Sequence, residues 1–465
     1  MFSLWDSENL RRITNGKTNT KWEVSGISID TRSLKKGDMF CALKGSNHDG
    51  HKYIKDAFKK GAKAALISKE INTKRVFPYL KVEDVLVALQ KIARQIRLSS
   101  DARFICVTGS VGKTGTKEML RIALEKIEKK VHANEGNFNN HIGVPLSICR
   151  MPKKASVCIL ELGMNRIGEI RNLTEICLPE TAIITAIENS HLIGLRTLKK
   201  IAQAKSEILD NLPKNGCCIF NIDTNYSQFI HQKAQKLKLK NVITYGKAKD
   251  ANIRLENLKI SGGKYLVDAI AFGKKISWKM PILGEHWILN SLSVIATGYF
   301  YNYDMNKILN GVSDYKIPRG RGSKSSYQID GKIITIIDDT YNSNPASLKA
   351  SLFSFKDIKS SGKKIVILGD MLELGQRSLE FHLAFKEVIL STGIDILFTK
   401  GKYMKQVFRT IPNSLEKYHF EDNSNLLEKF KNIINSGDLI LIKGSNGIGL
   451  KKIIENIEGN KINDI

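Results

Sequence analysis

A chain of 465 residues is too long for one hydrophobic core and implies roughly two to four domains, with 42% apolar residues to fill them. The formal charge of +27 invites a nucleic-acid partner, yet the lysines are spread along the chain without an aromatic-basic platform or zinc-finger spacing. They read instead as a solvated basic surface that steers anionic small molecules. No charge-free apolar run is long enough to span a bilayer, and residues 1–10 lack a signal-like apolar core, so a cytoplasmic protein without membrane insertion is expected. Seven cysteines, an odd number with no CxxC spacing and several within apolar runs, read as buried reduced thiols.

From the start, residues 26–32 alternate like a strand, Lys36-Gly37-Asp38 makes a turn, and residues 39–43 read as a second strand. The polar stretch Asn47-His48-Asp49-Gly50-His51 leads into a helix-like run over 53–60 that stops at Gly61. His48 and His51 have no obvious third metal ligand, so loop hydrogen bonding is their reading. Residues 82–96 put Leu86, Leu89, Ile92, Ala93 and Ile96 on one face of an amphipathic helix. A charged, serine-containing link over 97–103 follows, so a first domain is expected over 1–98.

Residues 104–107 are strand-like and pass through Thr108-Gly109-Ser110-Val111-Gly112-Lys113-Thr114-Gly115 into a helix. Its Met119, Leu120, Ala123, Leu124 and Ile127 recur at three- and four-residue spacing. Glycines there let backbone N–H groups close around phosphate oxygens, and the helix N-terminus adds partial positive charge. Lys113 can reach the β- and γ-phosphates, and the Thr114 hydroxyl can ligate Mg²⁺. The spacing is shorter than a strict Walker A loop, whose first glycine falls where Val107 stands. The alternative is a glycine-rich turn with an incidental lysine; the order strand, Gly-Lys-Thr, helix favours nucleotide binding.

Strand and helix signals then alternate, the pattern of a mostly parallel sheet covered by helices. Residues 157–160 form a buried-strand run ending in Glu161-Leu162-Gly163, which carries the Glu161 carboxylate towards the crevice that open α/β sheets use for ligands. A magnesium ligand and an ordinary strand-end carboxylate are both open for it. Residues 181–187 read as another strand, followed by Glu188-Asn189-Ser190-His191, where the histidine is a metal ligand or a satisfied loop residue. A helix over 198–209 carries Lys205, which taken alone belongs in solvent. A strand over 217–222, a lysine-rich helix and a largely buried helix from Gly284 through Tyr299 complete a central domain, 99–316. Ile317-Pro318-Arg319-Gly320-Arg321-Gly322 makes a hinge. Strands over 333–337, 365–368, 394–399 and 439–442 then build a Rossmann-like domain, 317–465, without a GxGxxG loop. The expected fold class is α/β in three domains: a small α/β domain, a central P-loop ATPase-like parallel-sheet domain and the C-terminal Rossmann-like one.

Several segments stand in one order from about residue 25 to 449. They are Asp30-Thr31-Arg32 with Asp49-Gly50-His51, the loop at 108–114, Gly136-Asn137-Phe138-Asn139-Asn140-His141-Ile142-Gly143-Val144-Pro145 and Glu161-Leu162-Gly163. Ala204-Lys205-Ser206-Glu207-Ile208, Asp338-Asp339-Thr340-Tyr341-Asn342-Ser343-Asn344-Pro345 and Gly369-Asp370-Met371-Leu372-Glu373-Leu374-Gly375 follow. The set resembles the Mur ligases, and its last two segments resemble the members that join D-alanyl-D-alanine (D-Ala-D-Ala) to UDP-N-acetylmuramoyl-tripeptide. The resemblance implies ATP-dependent amide ligation through an acyl phosphate in peptidoglycan synthesis, by a monomer acting on two small-molecule substrates and no nucleic acid.

By the same resemblance Thr31, Arg32, Asp49, Gly50 and His51 lie near the UDP end of the substrate, and Gly109, Ser110, Val111, Gly112, Lys113, Thr114 and Gly115 hold ATP. Thr114 and Glu161 take one Mg²⁺ and His191 a second. Lys205 is carbamylated, which turns a repelling ammonium into an anionic oxygen ligand; Lys113, Glu161, His191 and Lys205 form the catalytic set. Asn139 and Asn140 position substrate and metal. Asn290, Arg321 and Asp339 grip nucleoside and phosphates across the hinge, and Tyr341 and Asn342 flank the adenine.

Three positions depart from the pattern. Gly115 replaces the second Thr of the commoner GKTT, Trp287 stands where many Mur ligases have Asn, and Lys443-Gly444-Ser445-Asn446 lacks the Arg that often follows KGS. Lys443 and Ser445 remain candidates for the dipeptide site. The alternatives differ in sequence or response. A sister ligase adding the third amino acid would carry a His-Thr-Pro-Asp-like element at 341–345. A folylpolyglutamate synthase would start almost at the phosphate loop, and a nucleic-acid-dependent ATPase would be stimulated by DNA or RNA.

Overall fold

Runs such as Phe104-Ile105-Cys106-Val107 and Val157-Cys158-Ile159-Leu160 are apolar at every position, which suits strands buried on both faces of a sheet. The computed structural model describes residues 5–45, 48–70, 76–188, 195, 197–261, 264–281 and 284–464. Among them the strands gather into three sheets. The first contains β1 (Lys17–Thr18), β2 (Gly26–Ser28), β3 (Asp38–Cys41), β4 (Ala64–Ile67) and β5 (Tyr79–Lys81), in the order β1-β5-β4-β3-β2. Pairs β2 to β5 are parallel and β1 closes the edge antiparallel.

The central sheet contains β6 (Arg103–Thr108), β7 (Val131–Ala133), β8 (Val157–Glu161), β9 (Thr181–Ile184), β10 (Cys217–Asn221) and β11 (Asn241–Gly246). An antiparallel extension, β12 (Ile253–Ser261), β13 (Lys264–Ala271) and β14 (Lys274–Met280), completes it. The order is β14-β13-β12-β11-β10-β9-β6-β8-β7. Strand β6 lies between β8 and β9, parallel to both, so the chain leaves it towards one side and later returns on the other. That reversal opens a crevice at the carboxyl end of β6, where the phosphate loop begins.

The third sheet contains β15 (Ser323–Ile329), β16 (Lys332–Asp339), β17 (Lys364–Gly369), β18 (Ile396–Lys400), β19 (Glu416–Phe420), β20 (Leu439–Lys443) and β21 (Lys461–Asp464), ordered β19-β18-β17-β20-β16-β15-β21. Its carboxyl edge carries Asp339, Asp370 and Ser445. Helix Pro345–Asp357 begins at the end of the Asp338–Pro345 loop in a capping box: Asn344 accepts from the Ser347 N–H, Ser347 returns the bond, and Pro345 starts the helix.

One hydrophobic core runs from Leu10, Met39, Leu66 and Leu80 of the first lobe through Leu89 and Ile92 to Phe104, Cys158 and Leu160 of the central sheet. Helix Val85–Leu98 makes this joint. It starts at 85 rather than 82 because the Asp84 carboxylate caps it, accepting from the N–H groups of Leu86 and Val87. Each fully buried Leu or Ile in this stripe contributes about 1.5–3 kcal/mol. A second core, with Met119, Leu120 and Leu124, fills the other face of the central sheet. The third sheet has cores of its own on its two faces, and among the described residues Phe381 is its one apolar side chain packed against the first core. All seven cysteines are buried and free. Among the described residues no helix is long and apolar enough to cross a membrane.

Candidate active site

The phosphate loop leaves β6 at Thr108 and enters helix Lys113–Glu125 through Gly112, whose φ of 84° is open to glycine. Its neighbours also forbid larger residues. A Cβ at Gly109 would stand 1.9 Å from Thr185 Oγ1, and one at Gly112 would stand 2.6 Å from Asn290 Oδ1. Strand β9 stops at Ile184, short of the expected 187, because Thr185 turns to the loop. Its N–H donates to Thr108 O and its hydroxyl to Val111 O at 2.5 Å. Ser110 ties the other flank, donating to Glu188 O and accepting from the Glu188 N–H. Sequence reading missed Thr185, whose role exists only once β9 lies beside β6.

Lys113 folds over the loop and donates to Gly109 O at 2.5 Å. Burial pushes its ammonium below its ordinary pKa, the Glu161 carboxylate opposes that, and Arg321 adds to it. Thr114 Oγ1 donates to Glu161 Oε2 at 2.8 Å and accepts from Arg321 Nη2 at 2.9 Å. Asn139 Nδ2 donates to Glu161 Oε1 at 2.8 Å. Hydroxyl, carboxylate and amide thus meet at the carboxyl ends of β6 and β8. Asn140, by contrast, spends its side-chain oxygen on the N–H groups of Ile142 and Gly143 at the start of helix Gly143–Cys149.

Asn134, which sequence reading missed, and Lys117, which the apolar spacing of the loop helix leaves on the wet face but the structure buries, hold this corner from behind. The Asn134 side chain accepts from the Glu161 N–H at 2.9 Å and donates to Glu161 O and Phe138 O. The Lys117 ammonium, 1% exposed, donates to Asn134 O and pairs with Glu118. Asn134→Ala removes three bonds from a buried site at about 1–3 kcal/mol per orphaned group. If the cost of one such group is felt at the transition state, turnover should fall roughly 5- to 150-fold. Steady-state kinetics on protein whose circular dichroism is unchanged would check this, and undiminished turnover would show that Glu161 keeps its place without the amide.

Lys205 ends helix Leu198–Ser206 and is 1% exposed, which overturns its isolated reading as a solvent residue. Among the described residues none accepts a hydrogen bond from its ammonium. Burial pushes its pKa well below the ordinary value, nearby Lys113 pushes the same way, and Glu161 opposes. His191 lies outside the described residues.

Across the hinge, the Arg321 guanidinium lies 3.8 Å from the centre of the Tyr341 ring while it reaches Thr114. Asp339 is occupied: Lys443 Nζ lies 2.7 Å from its carboxylate and Ser351 donates at 2.5 Å. Lys443 also donates to Asn342 O, and the Asn342 side chain turns back to the Ser343 N–H. Ser445 bridges two loops, donating to Ser343 O and accepting from the Leu372 N–H. Asn290 Nδ2 and Ser343 Oγ are buried without a hydrogen-bond partner among the described residues. Ser110 to Gly115, Asn139, Asn140, Glu161, Lys205, Asn290, Arg321, Asp339, Tyr341 and Asn342 all line one cleft of about 2690 Å³ between the central and third sheets.

Thr31, Arg32, Asp49, Gly50 and His51 are not in that cleft. They follow the neighbouring strands β2 and β3 at one edge of the first sheet. Arg32 is paired with Asp30 at 2.6 Å and its side chain is 85% exposed. Asp49 accepts from Lys69 and from the His51 N–H and ring, which hold its carboxyl well below the usual range. His51 Nε2 accepts from the Ser68 N–H at 3.1 Å, so the ring proton sits on Nδ1, and the ring ties its own loop at Asp49 to the end of β4. His51 latches this edge together, as loop hydrogen bonding predicts.

Three family profiles match the chain in sequence order: Mur ligase family, catalytic domain over 23–108; Mur ligase middle domain over 107–298; and Mur ligase, glutamate ligase domain over 327–446. The UDP-N-acetylmuramoyl-tripeptide--D-alanyl-D-alanine ligase of Rickettsia prowazekii is 33% identical over 452 residues, 97% of this chain and 99% of the relative. The chain belongs to the Mur ligase family. Among solved Mur ligases, MurF of Thermotoga maritima in complex with ADP is 25% identical, with a TM-score of 0.77 over 94% of this chain and 98% of that one. MurF of Acinetobacter baumannii shares the fold at a TM-score of 0.86, covering 98% and 99% of the two chains at 23% identity.

Proposed function

We propose that this Mur ligase joins D-Ala-D-Ala to UDP-N-acetylmuramoyl-tripeptide at the expense of ATP, releasing ADP and phosphate. The observation that carries the reading is the cleft in which the phosphate loop, Glu161 and Lys205 of one lobe face Arg321, Tyr341 and Asn342 of another, in a chain whose whole-length relative bears that activity as its name. A carboxylate is a poor acceptor for an amine. One of its oxygens therefore attacks the γ-phosphorus, ADP leaves, and the acyl phosphate carries a leaving group. The dipeptide amine then attacks the carbonyl carbon, loses a proton, and inorganic phosphate departs as the amide forms. The protein's share is to hold like-charged groups together and in line, which Lys113, Arg321 and the loop N–H groups do from opposite walls.

The division of labour we propose follows the spans 1–98, 99–316 and 317–465: the uridine end on the first lobe at Thr31, Arg32 and Asp49, ATP on the central lobe, the dipeptide on the third. Lys443 and Ser445, which line the cleft there, are the candidates to meet it. Thr114 and Glu161 offer the hard oxygen donors magnesium takes, side by side at 2.8 Å. When bound, magnesium would screen the repulsion between carboxylate and phosphate. Lys205, whose charged form burial disfavours, fits carbamylation: its nitrogen bonds to carbon dioxide, a proton is lost, and the side chain ends in an anionic oxygen pair. The reaction is placed in the cytoplasm and the enzyme acts as a monomer.

Purified protein with ATP and Mg²⁺, offered UDP-muramoyl peptides and either single amino acids or D-Ala-D-Ala, should release phosphate only when both substrates are present. The product mass should rise by one dipeptide. Addition of a single amino acid to a shorter muramoyl peptide would convert the assignment to the sister ligase. Phosphate release driven by DNA or RNA would end it.

A further inference from the structure

The two departures of the sequence from the family pattern beside the nucleotide site, Gly115 and Trp287, touch each other. A Cβ at Gly115 would stand 2.4 Å from Cζ3 and 3.2 Å from Cε3 of the Trp287 indole, so the benzo edge of the ring lies against the backbone of the loop helix. Gly115 directly follows Thr114 and sits two residues after Lys113. Trp287 is fixed in turn: 6% exposed, it packs in the core that holds Met119 and Leu120 of the same loop helix. Its ring lies 5.5 Å from that of Tyr315, just before the hinge. One turn on, Asn290 sits against Gly112. Helix Glu285–Phe300 therefore grips the loop helix at two glycines from one face, and both gripping residues line the cleft.

We infer that Trp287 is a positioning residue that sets where Lys113 and Thr114 present themselves to the nucleotide, and that Gly115 is its obligate partner. The inference rests on reading the loop as the nucleotide site. It also carries a sign that helix propensity cannot imitate. Alanine is a far better helix former than glycine, so a loss caused by alanine at 115 has to come from the indole. The contact is a ring edge against a missing side chain, so shortening the ring should make room for the methyl group.

The test is a double-mutant cycle on the full chain with Gly115→Ala, Trp287→Phe and the pair, read by ADP affinity in calorimetry and by KM for ATP and for the muramoyl peptide. Gly115→Ala should weaken ADP roughly tenfold, as overpacking does, and raise KM for ATP while KM for the muramoyl peptide holds. Adding Trp287→Phe should recover most of the ADP affinity and, if Gly115→Ala alone does not fold, should restore folding. ADP affinity unchanged in Gly115→Ala, a pair no better than Gly115→Ala, or equal losses for both substrates would each overturn the pairing. Wild-type protein that binds no ADP would overturn the nucleotide site itself, and this inference with it.

Discussion

Lys113→Ala should abolish measurable ligation with the fold intact. The ammonium makes its hydrogen bonds to carbonyls of its own loop, and burial already penalises its charge, so its removal costs the folded state little. Its work lies in the reaction, where negative charge on the γ-phosphate must be met as a second anion approaches. Loss of one such preorganised donor costs about 10²–10³ in turnover, about 2.7–4 kcal/mol. The expected picture is a thermal midpoint close to wild type, weakened ATP, and phosphate release near background with both substrates present. Phosphate release at the wild-type rate would remove the phosphate-loop assignment.

Lys205→Ala should be nearly inactive and partly restored by short carboxylic acids. The side chain is buried beside Lys113 and Glu161, and its removal leaves a space that such an acid can fill with the oxygen pair a carbamate would present. Normal activity of the variant without added acid would sink the carbamate. In protein freed of carbon dioxide, where Lys205 is an unmodified amine, the pH response has a definite sign. Because burial depresses the amine's pKa, there is a window below the unfolded value of about 10.4 in which the unfolded chain binds a proton that the folded chain does not. Stability therefore rises with pH across that window and falls as pH drops towards the folded pKa. The alanine variant, with no amine to titrate, should lose that part of the slope in denaturant titrations.

The features legible in the sequence were those whose cause is local. The strand, glycines, lysine and helix of the phosphate loop are consecutive, and Glu161 is the polar residue that ends an apolar strand, so both could be placed without knowing what lies beside them. Lys205 could not, because its neighbours Ser206 and Glu207 are polar yet buried, and nothing local separates that helix end from a solvated one. Thr185, Asn134 and Trp287 take their meaning from contacts across the sheet or between distant helices. Asp339 shows the opposite failure: its place in the cleft was legible, but its engagement by Lys443 and Ser351 was not, since those partners come from a neighbouring strand and a helix.

The oily interior shared by the first and central sheets leaves no slip plane between them, so those two lobes behave as one anvil. A ligand seated at the edge of the first sheet keeps a fixed offset from the phosphate loop whatever else moves. The third lobe is tied on more lightly, through the stretch 317–322 and, among the described residues, the apolar contact of Phe381 with that shared interior.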